Sequence, residues 1–156
     1  MKADINGTKP VRIFVAEDNN ADVWLIEEAL RRQSLPFQLD HHLTAAEAIH
    51  AVKKCGVGES PVPDLLLLDY NLPGGQGLEI LAAAASNPNL AKVPKAILSS
   101  FLRPNELQDA IRMGASCFIA KPANLADFLH DVGTKVLDLL SVSDASQGAT
   151  VKTSPH

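Results

Sequence analysis

Acids, hydroxyls and one lysine stand where the apolar runs of this chain stop. Glu17-Asp18 follows "VRIFVA", and Asp69 ends "LLLLD" with Asn71 two residues on. Ser99-Ser100 closes "KAILSS", and Lys121-Pro122 closes "SCFIAKP". Carboxylates gathered in one crevice repel each other at low local dielectric and stay ionised only beside a cation. All-oxygen donors select a hard ion, and few carboxylates with room for water favour Mg²⁺ over a Ca²⁺ cage. Mg²⁺ commonly carries a phosphoryl group in its shell. Ser99 can donate to a phosphoryl oxygen and Lys121 can neutralise its charge. That chemistry moves phosphate, with Asp69 as candidate nucleophile.

Such groups can meet only if the elements carrying them align. "VRIFVA" is short, apolar and rich in β-branched residues, which predicts a buried strand. From Asn20 the period turns helical, with Val23, Ile26, Ala29 and Leu30 on one face. "FQLDHH" predicts a second, weaker strand whose His41 and His42 lie outside the cluster. Thr44 and Glu47 form a capping-box signature that opens a helix ending near Cys55-Gly56.

"GVGESPVP" is loop by composition, and "DLLLLD" is the third strand. "NLPGGQG" leads to a helix over Gln76 to Ser86, then "KAILSS" is the fourth strand. Pro104 suits a first helical turn and Gly114 the C′ position that ends it. "SCFIAKP" is the fifth strand, and Leu125, Phe128, Leu129, Val132 and Val136 mark the stripe of a last helix. Five strands alternating with five helices predict an α/β domain: a doubly wound parallel sheet covered on both faces. In such sheets ligands bind beyond the carboxyl ends of the strands, where the polar residues gather.

The 156 residues make one domain over 10–141, with flexible ends expected at 1–9 and 142–156. A net charge of −4 without a Lys/Arg run leaves no footprint for nucleic acid. No apolar run reaches the ~20 residues of a membrane span, and the polar start is not a secretory signal. Cys55 and Cys117 match no metal or disulfide spacing and read as reduced, buried thiols of a cytoplasmic protein. The five histidines show no ligand spacing.

Taken in order, these motifs resemble the receiver domain of two-component response regulators over about residues 10–140. They are the acidic pair Glu17-Asp18, the run Leu65 to Pro73 around Asp69, Gly77, Ser99-Ser100, Phe118 and Lys121-Pro122. Each is weak alone; the ordered set is specific. The resemblance implies the flavodoxin-like strand order 2-1-3-4-5, for which a receiver protein is itself the standard example. It implies that Asp69 takes a phosphoryl group from a sensor histidine kinase or phosphotransfer protein. Mg²⁺ would be held by Asp18, Asp69, the Asn71 main-chain carbonyl and, through water, Glu17. Ser99 would move to the phosphoryl group, Lys121 would pair with it, and Phe118 would reorient. A cis Lys121-Pro122 bond is also expected from the family.

Glu17 departs from the commoner Asp-Asp pair by one methylene, and "CGVGESPVPD" is longer than in short receivers. With "EDNNAD" (17–22), that loop resembles the stand-alone regulators associated with phytochrome-type kinases. Asn71 and Phe101 should flank the path of attacking water and tune phosphoryl lifetime. Val136, Leu137, Leu139 and Leu140 exceed one buried stripe, which suits either a homodimer face or a long core helix.

Other functions fit less well. A Mg²⁺-dependent aspartate-nucleophile phosphatase of the haloacid dehalogenase type would need a second acid at position 71, which is Asn. Flavin binding would need a Gly/Ser/Thr loop at a helix N-terminus, where "AEDNNAD" presents anions. An inactive receiver would not be expected to keep the whole site set.

Overall fold

A computed structural model describes residues 9–152, with side chains described to residue 141. The expected flexible N-terminus therefore falls, all but residue 9, outside the described residues. The order is β1 (Val11–Ala16), α1 (Asn20–Arg32), β2 (Phe37–His42), α2 (Ala45–Lys54) and β3 (Leu65–Asp69). A small hairpin follows, β4 (Asn71–Leu72) and β5 (Gly75–Gln76), leading into α3 (Gly77–Ala85). A 3₁₀ turn (Pro88–Leu90), β6 (Lys95–Ser99), α4 (Pro104–Arg112), β7 (Cys117–Ala120) and α5 (Leu125–Lys152) complete the described residues.

The main sheet is parallel in the order β2-β1-β3-β6-β7. With the hairpin set aside, that is the order 2-1-3-4-5. β3 shows why the leucine run is needed. Leu65 and Leu67 enter one core with Ile13, Val15, Ile26, Phe128 and Val132. Leu66 and Leu68 enter the other with Phe14, Val52, Ile80 and Leu81. Alternate residues of a strand face opposite ways, so a strand covered by helices on both sides must be apolar throughout. β2, at the sheet edge, alternates between half-buried and exposed residues, which is why its pattern is faint.

α1 and α5 cover one face and α2, α3 and α4 the other. The approach of α1 to α5 depends on Gly133, where an added Cβ would stand 2.9 Å from the Ala29 carbonyl oxygen. Val136 and Leu140 are buried in the core, and Leu139 packs partly against it. Most of the apolar excess of α5 is thus used within the chain, leaving Leu137 half-buried.

Local signals act as their chemistry predicts. Asn19 caps α1 by accepting from Ala21 N (2.8 Å) and Asp22 N (3.3 Å). Thr44 Oγ1 accepts from Glu47 N at 3.1 Å, while the Glu47 carboxylate reaches back to Leu43 N. Pro104 opens α4, and Gly114 ends it at φ +109.

Three features differ from expectation. The β4–β5 hairpin turns at Pro73-Gly74, with Gly74 at φ +79, and its two-residue strands are too short to leave a period. α5 continues past residue 141 to Lys152, through the stretch read as a fraying tail; no proline interrupts it. The Lys121-Pro122 bond is trans, since no described peptide bond is cis; trans is the intrinsically favoured isomer of X-Pro bonds.

Candidate functional site

The sheet register lines up the strand ends. Ala16 pairs with His42 and Leu68, Asp69 with Leu98, and Ser99 with Ala120. Each polar residue at or just past those positions therefore emerges on one rim. β1 and β3 are neighbours whose chains leave toward opposite sides of the sheet, so the crevice between them opens there.

Glu17, Asp18 and Asp69 each offer a carboxylate oxygen, and these oxygens lie within 4.8 Å of one another. Glu17 and Asp69 are buried, and Asp18 faces solvent. Lys121 reaches over them: its Nζ stands 2.8 Å from Glu17 Oε1, 3.0 Å from Asp22 Oδ2 and 3.2 Å from Asp69 Oδ2. The contact with Glu17 has the distance of an ion pair without hydrogen-bond alignment, so Glu17 Oε1 is a fully buried acceptor left without a hydrogen bond. One ammonium thus serves an excess of acids. Burial pushes the Glu17 carboxyl up to about 7; the adjoining Lys121 ammonium opposes this and the Asp69 charge adds to it. For Lys121, burial alone would lower the pKa, but Glu17, Asp69 and Asp22 hold the ammonium above its ordinary value.

The donor set fits a hard divalent cation. It is all oxygen, negatively charged beyond what Lys121 neutralises, open on the Asp18 side, and contains a buried acceptor with nothing hydrogen-bonded to it. Asp69 Oδ1 accepts from Asn71 N at 3.2 Å, which fixes the carboxylate against the β3–β4 bend. Gly77 makes that bend possible. Its N–H donates to the Tyr70 carbonyl at 2.8 Å, and a Cβ there would lie 2.8 Å from the Asp69 carbonyl oxygen.

Other expected residues sit beside this centre. The buried Ser99 Oγ donates to the Phe101 carbonyl at 2.9 Å and accepts from Phe101 N at 3.3 Å, so its hydroxyl is engaged with its own loop. Phe101 is 70% exposed, and Asn71 is also exposed. Phe118 is half-buried against the core on the α2–α4 side.

Two residues join the site that the sequence reading left out of it. Asp22, in the first turn of α1, binds Lys121. His41 Nε2 lies 2.7 Å from the Glu17 carbonyl oxygen and so touches the rim it was expected to miss. The signal for Asp22 was geometric. Helical Cβ atoms tilt toward the helix N-terminus, so a first-turn acid leans back over the strand ends. Cys55 and Cys117 are free thiols; Cys55 is buried as expected, and Cys117 only partly so. Among the described residues no helix is long and apolar enough to cross a membrane.

An open parallel sheet with an acidic, lysine-bridged crevice at its switch point defines a receiver-type domain. Accordingly, the sequence profile of the response regulator receiver domain matches residues 13–133, and the chain belongs to that family. It is 31% identical over 124 residues to the response regulator Rcp1 of Synechocystis, covering 79% of this chain and 84% of that protein. The two-component response regulator ARR17 of Arabidopsis thaliana is 29% identical over 126 residues, covering 75% of this chain and 79% of the relative. The crystal structure of the phosphorylated cyanobacterial phytochrome response regulator RcpA superposes with a TM-score of 0.77 at 32% identity, over 86% of this chain and 96% of that one. The Mn²⁺-bound form of Rcp1 gives 0.66 at 26% identity, over 94% of this chain and 98% of that one. Nothing in these likenesses supports a phosphatase of the haloacid dehalogenase type.

Proposed function

We propose that Asp69 accepts a phosphoryl group from a phosphohistidine on a sensor kinase or phosphotransfer protein, and that the modified domain signals by binding a partner. An Asp69 carboxylate oxygen attacks phosphorus, the N–P bond breaks, and its electron pair returns to the imidazole, which takes up a proton. The observation that carries this reading is the Asp69 carboxylate, 8% exposed, with Lys121 Nζ at 3.2 Å and two further acids around it. Glu17, Asp18, Asp69 and the Asn71 main-chain carbonyl would hold Mg²⁺, which when bound offsets the charge of the acids and the incoming phosphate.

The chain's own groups do the rest. Asn71 N–H fixes one Asp69 oxygen, leaving the carboxylate oriented toward the crevice mouth. Lys121 exchanges carboxylate partners for phosphoryl oxygens, and Ser99 leaves the Phe101 backbone to donate to the same group. Phe118, on the neighbouring strand two register positions short of Ser99, follows into the space released. The added charge, close to two units, thereby biases a two-state surface. Likeness to Rcp1 and RcpA supports a phytochrome-type sensor kinase as donor and a cytoplasmic setting; a homodimer through the α5 region is the association most in keeping with its residual apolar surface.

Incubation with Mg²⁺ and a small phosphodonor, followed by intact-mass measurement, tests this. The unmodified protein should gain one phosphoryl group, and Asp69→Asn or chelated protein none. Uptake by Asp69→Asn would overturn the assignment.

A further inference from the structure

Lys121 has a partner outside the carboxylate cluster that suits a metal. Of the three carboxylates around its ammonium, Glu17 and Asp69 also belong to the oxygen cluster that suits a divalent ion. Asp22, at 3.0 Å, does not belong to it. A dication among Glu17, Asp18 and Asp69 draws on the same oxygens as Lys121 and repels the ammonium. If those were its only partners, the lysine would either compete with the ion or swing out of the crevice.

We infer that Asp22 is a positioning residue: it holds the Lys121 ammonium beside Asp69 while a divalent ion occupies the neighbouring carboxylates, so that both cations stand ready for the phosphoryl group. Asp22 is suited to this by its place. It lies in the first turn of α1, whose backbone is fixed by the Asn19 cap, one of whose bonds goes to Asp22 N itself. Its side chain is 23% exposed against 1% for Glu17. An ion pair at the crevice mouth exchanges more readily for phosphoryl oxygens than one sealed beneath it, because the freed carboxylate regains water. The inference deepens the proposed phosphoryl acceptance and rests on it for its purpose, although the metal–lysine competition can be measured without any phosphoryl transfer.

A double-mutant cycle on the full chain separates this role from a plain charge effect. Mg²⁺ would be titrated calorimetrically into the unmodified protein, Asp22→Asn, Lys121→Met and the double variant. Without Asp22 the ammonium falls back on Glu17 and Asp69, so Asp22→Asn should weaken Mg²⁺ binding by roughly five- to tenfold. In the Lys121→Met background the same change should have little effect, since no ammonium remains to be misplaced. Asp22→Glu, which keeps the charge, should recover much of the affinity. Lys121→Gln serves in the cycle if the methionine variant does not fold. An equal loss in both lysine backgrounds would show Asp22 acting as a bystander charge and overturn the inference, as would no loss in either. Failure of the unmodified protein to take up phosphate would count against the proposed function while leaving the cycle to decide this inference.

Discussion

Lys95 is the residue whose chemistry the site does not use. It sits in β6, 7% exposed, at the end of the strand remote from Ser99, with Nζ donating to the carbonyls of Leu90 (2.7 Å) and Val93 (2.8 Å). Burial lowers its pKa from the ordinary 10.5. Between the lowered folded value and 10.5 the unfolded chain holds the extra proton, so unfolding is favoured less as pH rises. The cost of burying the ammonium is fully present below that window and relieved through it. Melting temperatures followed up through the alkaline range should show this rising contribution, and Lys95→Met should lack it. Phe101 makes a different prediction. Its ring is exposed beside Ser99, so Phe101→Ser should shorten the lifetime of the aspartyl phosphate severalfold by opening the path of water. The decay of phosphorylated protein after donor removal measures this, and an unchanged rate would remove Phe101 from the mechanism.

The turn after β3 sets how well Asp69 is aimed. At Gly77 any side chain collides with main chain, which cannot move without shifting Asp69 itself. Gly77→Ala should therefore destabilise the domain by about 1–3 kcal/mol and slow phosphoryl uptake, as read by denaturant unfolding and by mass. β3 was legible because burial on both faces leaves only apolar residues to choose from. β2 was faint because an edge strand with half-exposed side chains carries a diluted pattern. The β4–β5 hairpin could not be read, since two residues contain no period. α5 was placed correctly at its start, where the stripe from Phe128 to Val136 faces α1. Its extension to Lys152 was missed because small polar residues forbid a helix no more than they demand one.

Across the whole domain, the acids at the crevice would tie the native state to a divalent ion bound there. A ligand that binds the folded chain alone adds RT ln(1 + [L]/Kd), about 2.7 kcal/mol at a hundredfold excess over Kd. Mg²⁺ should thus raise the melting temperature, chelation should reverse the gain, and Asp69→Asn should blunt it. The positions of Glu17, Asp18, Asp69 and Lys121 in one crevice were legible because each follows an apolar run and parallel strands present their ends together. Asp22 and His41 were not, since contacts within a rim depend on side-chain direction, which hydropathy does not encode.

The Lys121–Asp22 bond joins residues 99 positions apart. α1, β1 and β3 all precede Lys121 in the chain, so any crevice they formed without it would hold its acids with no ammonium to offset them. Closure of the last strand therefore brings the crevice its ammonium as well as completing the sheet, and the charge still in excess is what a divalent ion would offset.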